Sequence, residues 1–362
     1  MTSRTNFKNT RMNYRAQNDS PEPKGTKPTR EASSIQEVLT LMIVHICKKI
    51  LFFDTNLKIA LYLGALFLLS LIADVLTFPK SYFSRSDNFF NQYFVKIGWF
   101  WTLVITVPYV LLTSYTTCCG KRRMIATAHM VRLLIATVFW WGWTTLFNVI
   151  ENNYGRCNSK SYDNKITCLK NGSFWNGFDI SGHCFILIYS SLVLIEEARA
   201  INGWERIKDY IRDERYSRSI DDKAISTNPL KNISSEELEI LKRSYEKFTP
   251  YVRGLFIGIA ALQLLWDVML VSTILYYHIM VEKFISGVIA ILTWFVTYRV
   301  WYTFPYILPN KPGQGVFKYN KGKAQAPTPV YLKRMSSVNG KHFMGMPIKN
   351  QNSVDSTNQD DT

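Results

Sequence analysis

The sequence lacks the residue spacings of a metal centre. Its five histidines and six cysteines include no HExxH and no CxxC pattern, which are the spacings typical of zinc sites. We therefore expect a protein that uses no metal ion and no other cofactor.

Acidic residues are also scarce. The chain has 27 Asp and Glu against 43 Lys and Arg, so its formal net charge is +16. Basic proteins often bind nucleic acid, but nothing here resembles a nucleic-acid recognition motif, and the aromatic residues lie in the apolar segments. Lys and Arg instead mark the cytoplasmic loops of a membrane protein. We expect no nucleic-acid partner.

A cleavable signal peptide is not expected, because the N-terminus is long, polar and basic. Residues 1–56 are predicted to form a disordered basic arm that leads into an interfacial helix over 35–49. The first apolar segment then acts as an uncleaved signal anchor. Residues 307–362, rich in Pro, Gly, Lys and Asn, are predicted to be a disordered cytosolic tail.

Apolar segments of about 20 residues, the length that crosses the hydrocarbon core of a bilayer, fill most of residues 57–306. They predict an all-α membrane domain with six transmembrane helices, in which Trp99 and Trp101 anchor the start of the second span at the interface. The predicted spans are 57–76, 97–115, 131–150, 178–195, 254–277 and 284–304.

Six spans place both termini on one side of the membrane. The basic loop 118–123 contains no acid and falls on that side together with the charged block 198–252, so this side is predicted to be cytosolic. The opposite, lumenal side receives the loop 151–176, which contains Cys157, Cys168 and a glycosylation sequon at Asn171. A disulfide and N-glycosylation both need an oxidising lumen, but two free cysteines are an equally good interpretation.

Two histidines meet at the lumenal face in this topology. His183 lies about one turn inside the fourth span, and His278 follows the fifth span, whereas His45, His129 and His342 fall on the cytosolic side. A histidine pair suits phosphoryl transfer without a metal, because one imidazole can attack phosphorus while the other transfers protons. The alternative is a pair of interfacial polar residues between which no reaction occurs.

Further polar residues accompany the two histidines. Asp179 and Ser181 precede His183 at a helix start, where Ser181 is more typical of an N-cap than of a phosphate ligand. Backbone N–H groups at that helix start attract phosphate. Glu282, four residues after His278, could orient the imidazole or be a solvated loop acid. The same two histidines with Asp179 and Glu282 could instead hold zinc, although their spacing does not favour it.

The sequence resembles the fat storage-inducing transmembrane (FIT) family, and in particular its invertebrate members. The resemblance covers roughly residues 57–306 and is carried by a highly specific run, Gly177-Phe178-Asp179-Ile180-Ser181-Gly182-His183. It extends to Phe174-Trp175, to Ile195-Glu196-Glu197, to Tyr93-Phe94-Val95-Lys96 and to Tyr277-His278.

The resemblance implies a helical core related to the lipid phosphate phosphatases, in the endoplasmic-reticulum membrane with the active site facing the lumen. It implies a fatty acyl-CoA diphosphatase that releases acyl 4′-phosphopantetheine and adenosine 3′,5′-bisphosphate and supports lipid-droplet formation. His278 would be the nucleophile and His183 the acid and base. The basic phosphate-binding motif of the wider superfamily is missing, so Lys96 is our substitute anchor.

The family is also described as binding neutral lipid. The alternative function is therefore a non-catalytic protein that binds diacylglycerol and triacylglycerol and partitions neutral lipid into droplets.

Overall fold

The computed structural model describes residues 34–76, 78–85, 87–158, 165–220, 228–304 and 309–319, together with two short C-terminal strands. The arm 1–33 and most of the tail, for which the sequence predicts disorder, lie outside the described residues. The strands His342–Phe343 and Met346–Pro347 pair antiparallel within a separate unit, residues 321–362.

Helices form most of the described part of the larger unit. The helices are α1 (Ile35–Leu51), α2 (Thr55–Val75), α3 (Gly98–Thr117), α4 (Arg122–Tyr154), α5 (Lys165–Lys170), α6 (Gly182–Ala198), α7 (Arg206–Ile220), α8 (Ser235–Tyr276) and α9 (Met280–Thr303). Two short strands of two residues each, β1 (Arg156–Cys157) and β2 (Trp175–Asn176), pair antiparallel on either side of α5 in the sequence.

Five helices in the described part of the chain, α2, α3, α4, α8 and α9, are long and apolar enough to cross a membrane. Each contains or overlaps one of the predicted spans. The remaining predicted span, 178–195, corresponds to α6, which has 17 residues. The chain is therefore an all-α protein with several membrane-spanning helices.

The short helix α6 occupies the centre of the bundle. Every residue from Leu187 to Ala198 is buried, and α3, α4, α8 and α9 all pack against it. A helix that is apolar on all sides must be enclosed by other helices or by lipid. Ser181 caps its N-terminus by accepting a hydrogen bond from the Cys184 amide at 3.3 Å, so the helix start is fixed.

The longest helix, α8, joins two segments that the sequence pattern separates. The sequence pattern indicates an amphipathic helix over 236–248 and an apolar span over 254–277, but α8 runs through both without interruption. A capping box between Ser234 and Glu237 starts the helix. Pro250 removes one backbone N–H yet does not end it. At about 1.5 Å per residue its 42 residues extend roughly 63 Å, about twice the hydrocarbon thickness.

Two neighbouring acids close the other end of α6. Glu197 is fully buried and accepts from the Arg132 guanidinium at 2.9 and 2.7 Å and from the Tyr298 hydroxyl at 2.8 Å. Glu196 pairs with Arg199 at 2.7 Å and with Arg299 at 3.0 Å. The Ile195-Glu196-Glu197 motif therefore fastens α6 to α4 and α9.

Residues 309–319 depart from the predicted disorder of the tail. Phe317 and Tyr319 are buried, and the Tyr319 hydroxyl donates to the Ala200 carbonyl at 2.8 Å. Arg132 also donates to the Asn310 carbonyl at 2.7 Å. The composition of this segment is that of a flexible tail, but its two aromatic side chains find apolar surface beside the end of α6.

Candidate active site

The turn between α8 and α9 positions His278. The helix α8 ends at Tyr276 and α9 begins at Met280, so the chain reverses within three residues. His278 has a φ of +56°, a left-handed conformation that is costly for a residue with a side chain. Neighbouring contacts must therefore hold this turn.

Glu282, in the first turn of α9, supplies three of those contacts. Its carboxylate lies 3.3 Å from His278 Nδ1 and accepts the Ile279 amide at 3.4 Å. It also accepts the Asp179 amide at 3.1 Å. One carboxylate thus connects the His278 turn with the segment that precedes α6.

A second pair of charges holds the same turn from behind. The Lys283 side chain is 1% exposed, and its ammonium donates to the Ile274 carbonyl near the end of α8 at 2.7 Å. Asp74, near the end of α2, lies 4.0 Å from that ammonium and accepts the Met280 amide at 2.8 Å. The Asp74 carboxylate thus has both a cation and an amide donor as partners.

Asp179 lies in the loop before α6 and faces His278. Its carboxylate is 3.7 Å from His278 Nδ1, and its side chain is about half exposed (53%). Desolvation by partial burial raises the pKa of Asp179, and the nearby His278 opposes this shift. Two carboxylates, those of Asp179 and Glu282, therefore face the same ring nitrogen of His278, Nδ1.

His183 and His278 line one cavity of about 310 Å³. Lys96 and Asp179 line it as well, together with the backbone start of α6 at Gly182. Ser181 does not, because it is fully buried: its hydroxyl caps α6, and its carbonyl accepts from Ser286 at 2.7 Å. The structure thus brings together the two histidines, Asp179, Glu282 and Lys96, and leaves Ser181 as an N-cap.

Sequence reasoning missed a polar stripe on α4. Thr144, Asn148 and Glu151 line the cavity and recur at i, i+4 and i+7, which places them on one face of the helix. This spacing was visible in the sequence, but we ended the third span at residue 150 and assigned Glu151 to the following loop. The helix continues to Tyr154.

A small folded segment follows α4. The structure joins Cys157 and Cys168 in a disulfide, which connects β1 to α5. Asn171 follows α5 and is exposed, and its side-chain amide donates to the Thr167 carbonyl at 2.8 Å. Lys165, at the start of α5, forms an ion pair with Glu151. The segment is thereby fixed beside the cavity.

The described residues contain no group of three or more His, Cys, Asp or Glu side chains arranged to hold a metal ion. The chemistry available in the cavity is that of two imidazoles, carboxylates, one lysine and the N–H groups at the start of α6. The general class is therefore that of multi-pass helical membrane proteins with two histidines in one polar cavity.

Comparison with known proteins gives the family. The fat storage-inducing transmembrane protein family matches residues 79–151 and 148–298. This chain is 57% identical over 300 residues to acyl-coenzyme A diphosphatase FITM2 of Drosophila melanogaster, covering 83% of this chain and 71% of the relative. It is 33% identical over 269 residues to the Danio rerio protein of the same name (70% and 90%). It is 28% identical over 241 residues to the human one (64% and 78%).

The chain belongs to the fat storage-inducing transmembrane family. No solved structure matches it.

Proposed function

We propose that this protein is a fatty acyl-CoA diphosphatase of the endoplasmic-reticulum membrane. It hydrolyses acyl-CoA to acyl 4′-phosphopantetheine and adenosine 3′,5′-bisphosphate and so supports lipid-droplet formation. The observation that carries the proposal is the placement of His183 and His278 in one cavity, and the names of the relatives support it. An acyl chain in the bilayer would place the pyrophosphate at headgroup level, where the fold ends α8 and begins α6.

His278 acts as the nucleophile in this proposal. Carboxylates at Nδ1, from Glu282 at 3.3 Å and Asp179 at 3.7 Å, favour the tautomer with the proton on Nδ1, which leaves the Nε2 lone pair free to attack phosphorus. Attack breaks the bridging P–O bond, forms a phospho-histidine that carries one half of the substrate, and releases the other half with its own phosphate. Water then cleaves the phospho-histidine, so that one water is consumed and each product keeps one of the two phosphates of the diphosphate.

His183 transfers the protons. As imidazolium it donates a proton to the departing phosphate oxygen, and as imidazole it then takes a proton from the attacking water. Lys96 and the N–H groups at the start of α6 face the charge that develops on phosphorus oxygens. Glu282 and Asp179 stabilise the positive charge on His278 as it forms.

The topology belongs to the same proposal. We propose six spans: the five long apolar helices and α6, which is the fourth span along the chain. Both termini and the 198–252 block lie in the cytosol, and the cavity faces the lumen. The disulfide between Cys157 and Cys168 supports this orientation, because disulfides persist in oxidising compartments. Glycosylation of Asn171 follows from the orientation. A mass shift on endoglycosidase treatment that disappears in Asn171→Gln tests it.

The enzymatic test uses the full-length protein in detergent with a long-chain acyl-CoA. We expect release of adenosine 3′,5′-bisphosphate, abolished by His183→Ala and by His278→Ala but retained in His45→Ala. Unchanged activity in both site variants would refute the mechanism.

The same variants address the alternative function, a non-catalytic diacylglycerol- and triacylglycerol-binding protein. Droplet formation in cells without the endogenous protein should fail when the double histidine variant is supplied. Full rescue by the double variant would instead support lipid partitioning without catalysis.

A further inference from the structure

The cavity presents more negative than positive charge to a substrate. Glu151 and Asp179 line it, and Glu282 stands behind His278, whereas Lys96 is the one lysine or arginine among the lining residues that the structure describes. A pyrophosphate in this cavity would face carboxylates across a short distance, and like charges oppose binding. A further cation, beside Lys96 and the His183 imidazolium, would offset this repulsion when a polyanion binds.

Lys165 supplies that cation. Its ammonium pairs with the Glu151 carboxylate, and its side chain is 30% exposed, whereas that of Glu151 is 13% exposed. The same ammonium is near enough to Asp179 to favour the charged form of that carboxyl. An ammonium carries three N–H donors, so Lys165 can neutralise Glu151 and still donate to a phosphate oxygen.

Residues 155–158 and 165–177 hold Lys165 in this place. Lys165 lies three residues before Cys168, hence on the same side of α5, and the disulfide to Cys157 connects that side to β1. From β2, Trp175 donates its indole N–H to the Glu151 carbonyl at 3.2 Å. A Cβ at Gly155 would lie 2.2 Å from that indole nitrogen, so only glycine allows this close contact.

We propose that Lys165 is a substrate-binding residue that holds a phosphate of the CoA moiety, and that the Cys157–Cys168 disulfide positions it. On binding, the ammonium shares its donors between Glu151 and a phosphate oxygen. Lys165 and Lys96 then contact the polyanion from different elements, α5 and the segment before α3. This inference rests on the proposed acyl-CoA diphosphatase function.

The first test is kinetic and uses the full-length protein. Lys165→Gln should raise KM for acyl-CoA about tenfold, the scale of a hydrogen bond to a charged group, with kcat changed by less than threefold. Lys165→Arg, which keeps the charge, should recover most of the lost affinity. Lys170→Gln is the matched control, because Lys170 is exposed in the same helix, whereas the ion pair with the cavity acid Glu151 belongs to Lys165.

The second test separates binding from catalysis and probes the disulfide. Adenosine 3′,5′-bisphosphate should bind the inactive His278→Ala variant more tightly than His278→Ala/Lys165→Gln, and the difference should shrink at high salt because added ions screen exposed charges. Replacing Cys157 and Cys168 by Ser should raise KM when Lys165 is present and have little further effect on Lys165→Gln.

The outcomes are distinguishable. A wild-type KM for Lys165→Gln, or an increase that Lys170→Gln reproduces, would overturn the role of Lys165 while leaving the diphosphatase function intact. An effect on kcat alone would do the same. Should wild-type protein and His278→Ala release equally little adenosine bisphosphate, the proposed function itself fails. Loss of folding in Lys165→Gln, seen as a lowered melting temperature that Lys165→Arg corrects without restoring KM, also overturns the inference.

Discussion

Glu282 is the residue whose replacement tests the site most directly. Its carboxylate accepts the amides of Asp179 and Ile279 and faces His278 Nδ1. Glu282→Gln keeps the shape and one acceptor oxygen, which can serve the Asp179 amide that links the two segments, but it removes the negative charge. Glu282→Ala removes every contact. Comparing the two variants separates the effect of charge on His278 from the structural link between α6 and α9.

The expected magnitude follows from the geometry. At 3.3 Å and an effective dielectric constant of about 20, Coulomb's law gives roughly 5 kcal/mol for a full ion pair, which is an upper bound. A charge-assisted hydrogen bond contributes about 1.5–3 kcal/mol net. Since each 1.4 kcal/mol is tenfold in rate, Glu282→Gln should lower kcat about 10- to 100-fold. KM should change little, because the carboxylate stabilises charge that forms on His278 during attack.

Steady-state release of adenosine 3′,5′-bisphosphate measures both constants, and Glu239→Gln, an exposed acid on α8, is the control. Glu282→Ala should lower kcat further and also lower the melting temperature, since two amides lose their acceptor. A Glu282→Gln variant with wild-type kcat would refute the role of this carboxylate in catalysis. A similar fall in kcat in the Glu239→Gln variant would show that the effect is not specific to Glu282.

Two further predictions concern buried charges. Lys283→Met removes the ammonium that donates to the Ile274 carbonyl. The turn at His278 should then relax, and kcat should fall while KM stays nearly constant. Lys247→Met, at an exposed site, is the control, and an equal fall in kcat in that variant would contradict the prediction. Arg132→Met leaves Glu197 buried without its cation, which should destabilise the protein by about 3–5 kcal/mol. The double variant Arg132→Met/Glu197→Leu should recover much of the melting temperature, measured by tryptophan fluorescence. An Arg132→Met variant as stable as wild type would disprove this prediction.

The membrane helices were predictable because lipid imposes a strong rule on sequence. A spanning segment must be apolar over a fixed length, so hydropathy alone located five of the helices, and the bounds of α2, α3 and α9 agree with the predicted spans within a few residues. The continuity of α8 could not be predicted, because Pro250 and the change from an amphipathic to an apolar pattern both indicate a boundary. Nothing local shows that the two halves share one axis.

The site was predictable only in part, for a related reason. His183 and His278 could be paired because helices that cross the membrane bring their ends to known depths. The left-handed conformation of His278 and the contacts of Lys283 depend on tertiary packing that no local pattern encodes. The ion pair of Lys165 with Glu151 was missed because the loop 151–176 has no periodic pattern. The position of Lys165 also depends on a disulfide that the sequence left as one of two interpretations.

The continuous helix α8 has a mechanical consequence for the histidine that follows it. About 26 residues, or roughly 39 Å, separate Pro250 from Tyr276. A rotation of that part by about 5° around Pro250 would displace its end by roughly 3 Å, a distance equal to a hydrogen-bond length. The geometry of the cavity therefore depends on the angle of a helix that is about twice as long as the hydrocarbon core of a bilayer is thick. Side chains along the length of α8, far from the cavity, therefore influence the position of His278.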